Sequence, residues 1–252
     1  MKKRISLFAG VLCLSFTLMT GCKKHDCAPC TVDGCRIEKI IPVTPTYGDS
    51  AVFTYNQSGD PVSMTTSNEN LVFKYDGHNR LTEVGDYYNN GFYQYWHHYI
   101  YNHQNVIVAD SLYDSGPLLN GVPASHFYIH YVTFNYDAQG RIIQKRDSAS
   151  NGGPFNPIVI NYVYDSKGNL ENGASYDDKI SLRRTNKIWE FIDQNYSLNN
   201  EIPAGPYNNA GLPLRVAGNP QFFGFLHFGA VNVTYSCKAC EVNEKSSPVL
   251  AK

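Results

Sequence analysis

The sequence predicts an all-β protein. It should be an antiparallel meander of about six hairpin units forming a twisted or rolled sheet, with one short helix near 186–196. Three observations lead there. A short aromatic motif recurs six times between Phe53 and Gly211, and each copy ends in turn-forming residues at a fixed spacing. By contrast, Asn186 to Tyr196 sets Ile188, Phe191, Ile192 and Tyr196 at helical intervals among mostly polar residues, with Trp189 expected off that stripe.

Composition agrees with a packed domain. The 252 residues are 42% hydrophobic, 13% aromatic and 17% charged, with a formal net charge of −1. That length is enough to bury a core. The charge is too low and too balanced for a disordered chain or a nucleic-acid binder.

The first element is an address. Met1-Lys2-Lys3-Arg4 is basic, and the uncharged run Ile5 to Thr20 is short for a membrane span but suits a signal-peptide core. Met19-Thr20-Gly21-Cys22 resembles a bacterial lipoprotein lipobox, with Met where Leu is usual. That resemblance implies cleavage after Gly21 and a diacylglycerol on Cys22. Losing residues 1–21 removes three positive charges and no acid, which shifts the net charge from −1 to −4. Residues 22–49 then read as a lipid-anchored, Cys-rich tether, 50–245 as a single β domain and 246–252 as a flexible tail.

The repeats come next. Five segments share aromatic-x-Tyr-Asx: Phe53 to Asn56, Phe73 to Asp76, Tyr99 to Asn102, Phe134 to Asp137 and Tyr162 to Asp165. Tyr207-Asn208 is a sixth, with Gly205 in the upstream aromatic place. Three residues after each Asx stands Gly59, Asn79, Asn105, Gly140, Gly168 or Gly211, and an apolar residue follows closely. An Asx side chain opens a turn by accepting from backbone N–H groups just ahead. Gly and Asn accept the left-handed conformation that closes such a hairpin loop. Aromatics two apart share one strand face. Each unit therefore reads as a hairpin tip that feeds two aromatics into one layer.

Tyr136-Asp137-Ala138-Gln139-Gly140-Arg141-Ile142 carries the full pattern Tyr-Asp-x-x-Gly-Arg-apolar. Tyr164-Asp165-Ser166-Lys167-Gly168-Asn169-Leu170 departs only at the Arg. On these residues the chain resembles the YD-repeat (RHS-like) proteins over roughly residues 50 to 215. Together with the lipobox, it looks like the small YD-repeat lipoproteins of Bacteroidota. The resemblance implies architecture far more than activity: the large members enclose a toxin, and this chain has too few units to do so. After the helix, Phe222 to Phe228 and Val231 to Tyr235 read as closing strands.

Candidate chemistry is sparse. Cys27-x2-Cys30-x4-Cys35 and Cys237-x2-Cys240 admit a four-thiolate zinc site, but an oxidising envelope favours disulfides joining the two groups. His97 and His98 should point to opposite faces of a strand. His126 and His130 share a face about 13 Å apart, too far to grip one metal together. Asp177-Asp178 reads as turn chemistry. No Gly-rich phosphate loop, H-E-x-x-H or G-x-S-x-G occurs, so no catalytic residue, cofactor or metal is assigned. The row Tyr93, Tyr95, His97, Tyr99, Tyr101 is the sharpest binding candidate, since exposed aromatic rows stack on sugars or anchor a partner, but the repeat favours it as core, and Trp96 on the other face is the candidate for stacking on a ligand. The expected function is that of a non-enzymatic envelope lipoprotein at the outer membrane. It would bind an unknown protein or glycan partner, or serve as a structural module, and it would not bind nucleic acid. The alternative is a glycan binder using exposed aromatics.

Overall fold

The computed structural model describes residues 32–44, 50–88, 90, 92–125, 128–150, 156–201, 204–217, 221–222, 226–227 and 229–238. Cys22, Cys27, Cys30, Cys240 and His126 lie outside them, as do the leader and the tail. Among the described residues no helix is long and apolar enough to cross a membrane.

The chain runs as β1 (Cys35–Pro42), β2 (Ala51–Tyr55), β3 (Pro61–Thr65), β4 (Glu69–Tyr75), β5 (Leu81–Tyr88), β6 (Phe92–Tyr101), β7 (Ile107–Leu119), β8 (Val122–Pro123), β9 (Tyr128–Tyr136), β10 (Ile142–Ser150) and β11 (Ile158–Asn161). It continues through β12 (Tyr176–Ile180), a 3-10 turn at Leu182–Thr185, α1 (Lys187–Ile192), β13 (Asn199–Glu201), β14 (Arg215–Val216), β15 (Gln221–Phe222), β16 (Leu226–His227) and β17 (Val231–Cys237). Thirteen strands form one antiparallel sheet, in the order β11-β10-β9-β7-β6-β5-β4-β3-β2-β1-β17-β14 with β8 beside β7. The fold is the all-β meander that the repeats imply. Among the described residues the sheet does not close, since β11 and β14 are its two edges.

All six tips form as their residues dictate. Gly59, Asn79, Asn105, Gly140, Gly168 and Gly211 have φ of +95°, +59°, +60°, +77°, +84° and +79°. In each, the Asx Oδ1 accepts from the backbone N–H four residues on, at 2.8–3.1 Å. Successive units are then tied by their tyrosines. The carbonyl six residues after each tip Tyr accepts from the hydroxyl of a Tyr further along the chain. The pairs are Tyr75 to Pro61, Tyr101 to Leu81, Tyr136 to Ile107, Tyr164 to Ile142, Tyr176 to Leu170 and Tyr235 to Pro213. The first tip Tyr, Tyr55, donates to the Ile37 carbonyl. Burial raises these phenols: Tyr101 and Tyr164 are each pushed up to about 12, with Arg80 and Arg141 respectively opposing the rise.

The main core lies on one face of this sheet. Ile37, Ile40, Phe53, Met64, Leu71, Phe73, Leu81, Val84 and Tyr99 pack there under Leu182, Ile188 and Trp189. At six residues α1 is too short to persist alone and is held by its apolar contacts and its cap. Asn186 Oδ1 accepts from the Ile188 N–H at 2.9 Å, and Asn186 Nδ2 donates to the Gly59 carbonyl. The helix ends at Ile192, and Gln194 turns the chain with φ +51°.

Three expectations are corrected. Trp189, expected off the helical stripe, is fully buried, edge-on to Phe53 and Phe73 at 5.6 Å, because α1 has core on more than one side. The sheet also starts earlier than residue 50. Cys35–Pro42, read as tether, is β1, between β2 and β17. A register shift between Ile37 and Lys39 puts Ile37 and Ile40, three apart, on the same buried side and hides the alternation. Tyr93, finally, does not share a face with Tyr95. The register against β5 slips at Gln94, between the pairs Asp86–Tyr95 and Tyr87–Tyr93, which puts Tyr93 edge-on to Trp96 at 6.3 Å.

Cys35 and Cys237 are bonded to each other across β1 and β17. The last strand is thus pinned beside the first, closing a covalent loop with a sequence separation of 202 residues.

Candidate functional site

The segment from Tyr176 to Glu201 leaves the sheet and crosses its core face, and α1 lies between two hollows that share Phe191. The hollow on the tip side, about 800 Å³, is lined by the ladder tyrosines Tyr75, Tyr101 and Tyr136 with Arg80, Lys187 and Tyr196. These tyrosine hydroxyls are committed to backbone carbonyls, so this hollow is mainly a consequence of the ladder.

The second hollow, about 820 Å³, has a richer wall. Its floor is the sheet: Tyr95, His97 and Tyr99 from β6, Asp110 and Leu112 from β7, Phe134 from β9, Lys145 from β10 and Ile160 from β11. Tyr162, Leu170 and Asn172 stand at one side. Arg183, Phe191, Ile192, Asp193, Gln194, Asn195 and Glu201 come from the crossing segment. Much of this polar wall is bonded to itself. Arg183 pairs with Asp193, Tyr162 donates to Gln194, and Glu201 Oε1 accepts from Asn172 and Asn195 at 3.1 and 3.2 Å. His97 stacks on Tyr99 with ring centroids 5.8 Å apart. The wall therefore combines flat apolar rings with fixed amide and carboxylate groups, which is the chemistry of a polar-ligand site.

The deepest charged groups surround His97. Its Nδ1 lies 2.7 Å from Asp110 Oδ2, within hydrogen-bond distance. In the β ladder His97 faces Val84 and Leu112. Asp86, two residues beyond Val84, and Asp110, two before Leu112, therefore stand on the same face at opposite diagonals of the imidazole. Both acids are nearly inaccessible, at 2% and 5% exposure. Burial pushes Asp86 up to about 7, aided by the Glu69 charge and opposed by His97. Oδ1 of Asp86 and Oδ1 of Asp110 are buried with no hydrogen-bond partner among the described residues. A second dyad, His130 Nδ1 to Asp147 Oδ1 at 2.9 Å, repeats the motif outside the hollow's lining.

The residues singled out from the sequence fare unevenly. Trp96 is 6% exposed, enclosed by Tyr93 and Tyr113 with the Lys74 ammonium 5.2 Å from its ring centroid, so it presents no free face for stacking. The register slip at Gln94 is what packs Tyr93 over it. His97 and His98 do face opposite ways: His97 is in the hollow and His98 is exposed. Tyr99 is core, as expected, and Tyr95 and Tyr101 are half-buried. Asp177 and Asp178, read as turn chemistry, lie instead in strand β12, where Asp177 Oδ1 accepts from the Lys179 and Asn200 N–H groups and Oδ2 accepts from the Tyr207 hydroxyl. No cluster of metal-ligating side chains occurs among the described residues.

Asp86, Asp110, Arg183 and Glu201 are site residues that sequence reasoning missed. A signal was present for two of them. Asp86 follows the core residue Val84, and Asp110 faces Tyr99 and Val132, so each puts a carboxyl on a strand face otherwise filled with apolar side chains. Compared with models of known protein families and with curated proteins, the chain matches none.

Proposed function

We propose that this chain is a non-enzymatic lipoprotein of the bacterial envelope, a small YD-repeat module tethered through Cys22 that binds a ligand in the hollow over His97. The observation that carries the binding role is the wall itself. Aromatic rings and amide groups there are held by one another before any ligand arrives, and preorganisation of that kind lowers the cost of binding. The basic leader, its uncharged run and the Gly21-Cys22 stop support the anchor. The six tips, with their Asx, Gly and Arg positions, support the YD-repeat kinship.

A saccharide is the ligand class that this wall fits best. Tyr95 and Tyr162 offer rings, and Asn172, Gln194, Asn195 and Glu201 offer planar donors and acceptors around them. The aromatics are thus a different set from Trp96. A glycan array with the full chain in detergent tests the reading: retention of saccharides, lost on Tyr162→Ala with Gln194→Ala, is expected, and an empty array would sink it. The anchor is tested separately, since Cys22→Ser should move the protein from the membrane fraction to the soluble one. Continued anchoring of that variant would refute the lipoprotein reading.

A further inference from the structure

The two edges of the large sheet are built differently. At one end β14 is only 2 residues long, and it is covered: the Arg215 carbonyl accepts from the Gly205 N–H at 2.8 Å, and Val216 forms a bridge with Ala204. At the other end β11 has no strand beyond it among the described residues, and all four of its residues are exposed. In the first four hairpin units the arm after the tip runs back as a full strand, β3, β5, β7 or β10. In the fifth, only Leu170 and Glu171 stay beside Tyr164 and Val163, and the chain then turns away at Gly173, with φ +83°. The place beside Ile158–Asn161 is left open.

Strand geometry fixes which backbone groups face that opening. Tyr162 donates its N–H to the Ile143 carbonyl of β10 at 2.9 Å. Alternate residues of an antiparallel strand point N–H and C=O to the same side. Ile158 and Ile160 therefore turn theirs to β10, while Val159 and Asn161 turn theirs outward, where none of the described residues bonds to them. The side chains are apolar on both faces. Ile158 and Ile160 stand on the side of the hollow at 55% and 41% exposure, and Val159 on the opposite side at 46%. Edge strands are ordinarily guarded by charges, prolines or bulges. Here Pro157 precedes the strand, and no charged residue lies within it.

A strand added here must bring apolar side chains on both of its own faces. Among the described residues, Ile158, Val159 and Ile160 are the one run of three consecutive exposed large hydrophobics, so the segment that matches this edge is the edge itself. We propose that β11 is a self-association surface, on which two copies of this chain pair antiparallel about a two-fold axis at Val159 and continue one sheet into the other. Val159 exchanges backbone hydrogen bonds with its counterpart, Ile158 lies beside the counterpart of Ile160, and Asn161 donates to the carbonyl of Pro157's counterpart. Because the β14 edge is covered, the pairing closes at two copies and does not run on into a fibre. A strand of 4 residues buries far less than the roughly 1,200 Å² of stable complexes, so the pair is reversible, with a Kd of about 10–100 μM. It depends neither on a ligand in the hollow nor on the lipid anchor.

Sedimentation equilibrium of the full chain in density-matched detergent tests this. Between about 1 and 500 μM protein the average mass should rise toward that of two copies and not past it. Val159→Lys and Val159→Glu each set like charges directly opposite one another across the axis. Each should weaken association at least tenfold with an unchanged circular dichroism spectrum, since the side chain is half-exposed. Mixed in equal amounts, the two variants should associate again, because Lys then faces Glu. Ile100→Lys, at an apolar site of equal exposure, 46%, in the middle of the sheet, should associate as the wild type does. A wild type that stays monomeric throughout the range would overturn the proposal, whether or not any variant folds. So would Val159 variants that associate like the wild type, an equal mixture that stays monomeric, an Ile100→Lys variant as weak as they are, or a mass that grows past two copies.

Discussion

The hydroxyl of Tyr101 donates to the carbonyl of Leu81 at 2.8 Å. The two residues belong to consecutive hairpin units, and Arg80, beside Leu81, lies with its guanidinium 4.8 Å from the Tyr101 ring centroid. Arg80 also donates to Asp76 in its own tip at 2.7 Å. Arg141 repeats the arrangement between Asp137 and Tyr164. The Tyr, Asp and Arg of the motif are thus one device, in which Asp shapes the tip and aims Arg while Tyr locks the next unit onto it.

Tyr101→Phe removes the hydroxyl and keeps the ring. It leaves the partly buried Leu81 carbonyl without this donor, so unfolding in urea should show a loss of about 1 kcal/mol. Tyr101→Ala also opens a cavity and should cost about 3 kcal/mol or more. A Phe variant as damaging as Ala would show that the ring, not the hydroxyl, couples the units.

Asp76 is held down to about 2 by hydrogen bonds from the Arg80 backbone and side chain, with burial opposing them. Its contribution to stability is fully present above the unfolded value near pH 4 and is lost as pH falls toward about 2. Urea midpoints measured between pH 2 and 6 should therefore fall more steeply in the wild type than in Asp76→Asn. Parallel curves would contradict this assignment.

Asp86 has the opposite sign. Its acidity is weakened by burial, so the folded chain keeps a proton that the unfolded chain releases between about pH 4 and 7. Stability from this group is full below that window and falls as pH rises through it. Asp86→Asn should match the wild type at pH 4 and exceed it at pH 8, by about 1–2 kcal/mol once solvent screening is allowed for. A variant that is less stable at pH 8 would mean the ionised carboxylate is the form the fold needs.

The Cys35–Cys237 bond should contribute about 2–4 kcal/mol, chiefly by restricting the unfolded chain. Cys35→Ser with Cys237→Ser should lower the urea midpoint by that amount, and reductant should shift the wild type toward the variant. A midpoint indifferent to reductant would show that strand pairing alone holds β17 beside β1.

Local chemistry wrote the tips plainly into the sequence. Asx, Gly or Asn, and the aromatic pairs act over six or seven residues, so the hairpins, their left-handed closing residues and the all-β class follow from the chain read by itself. The short helix near 186–196 follows in the same way, from apolar spacing, and the envelope address is a reading of the sequence alone. Long-range register, by contrast, is set only when strands meet. The slip at Gln94 turned Tyr93 onto the Trp96 side, and the shift after Ile37 disguised β1 as tether. Pairing of β17 with β1 brought together cysteines 202 residues apart, and the crossing segment placed Arg183, Asp193 and Glu201 over His97 and Asp110. A one-residue change of register reverses every side chain beyond it. The repeats therefore determined which residues form the hairpin tips, and tertiary packing alone decided which residues line the hollow.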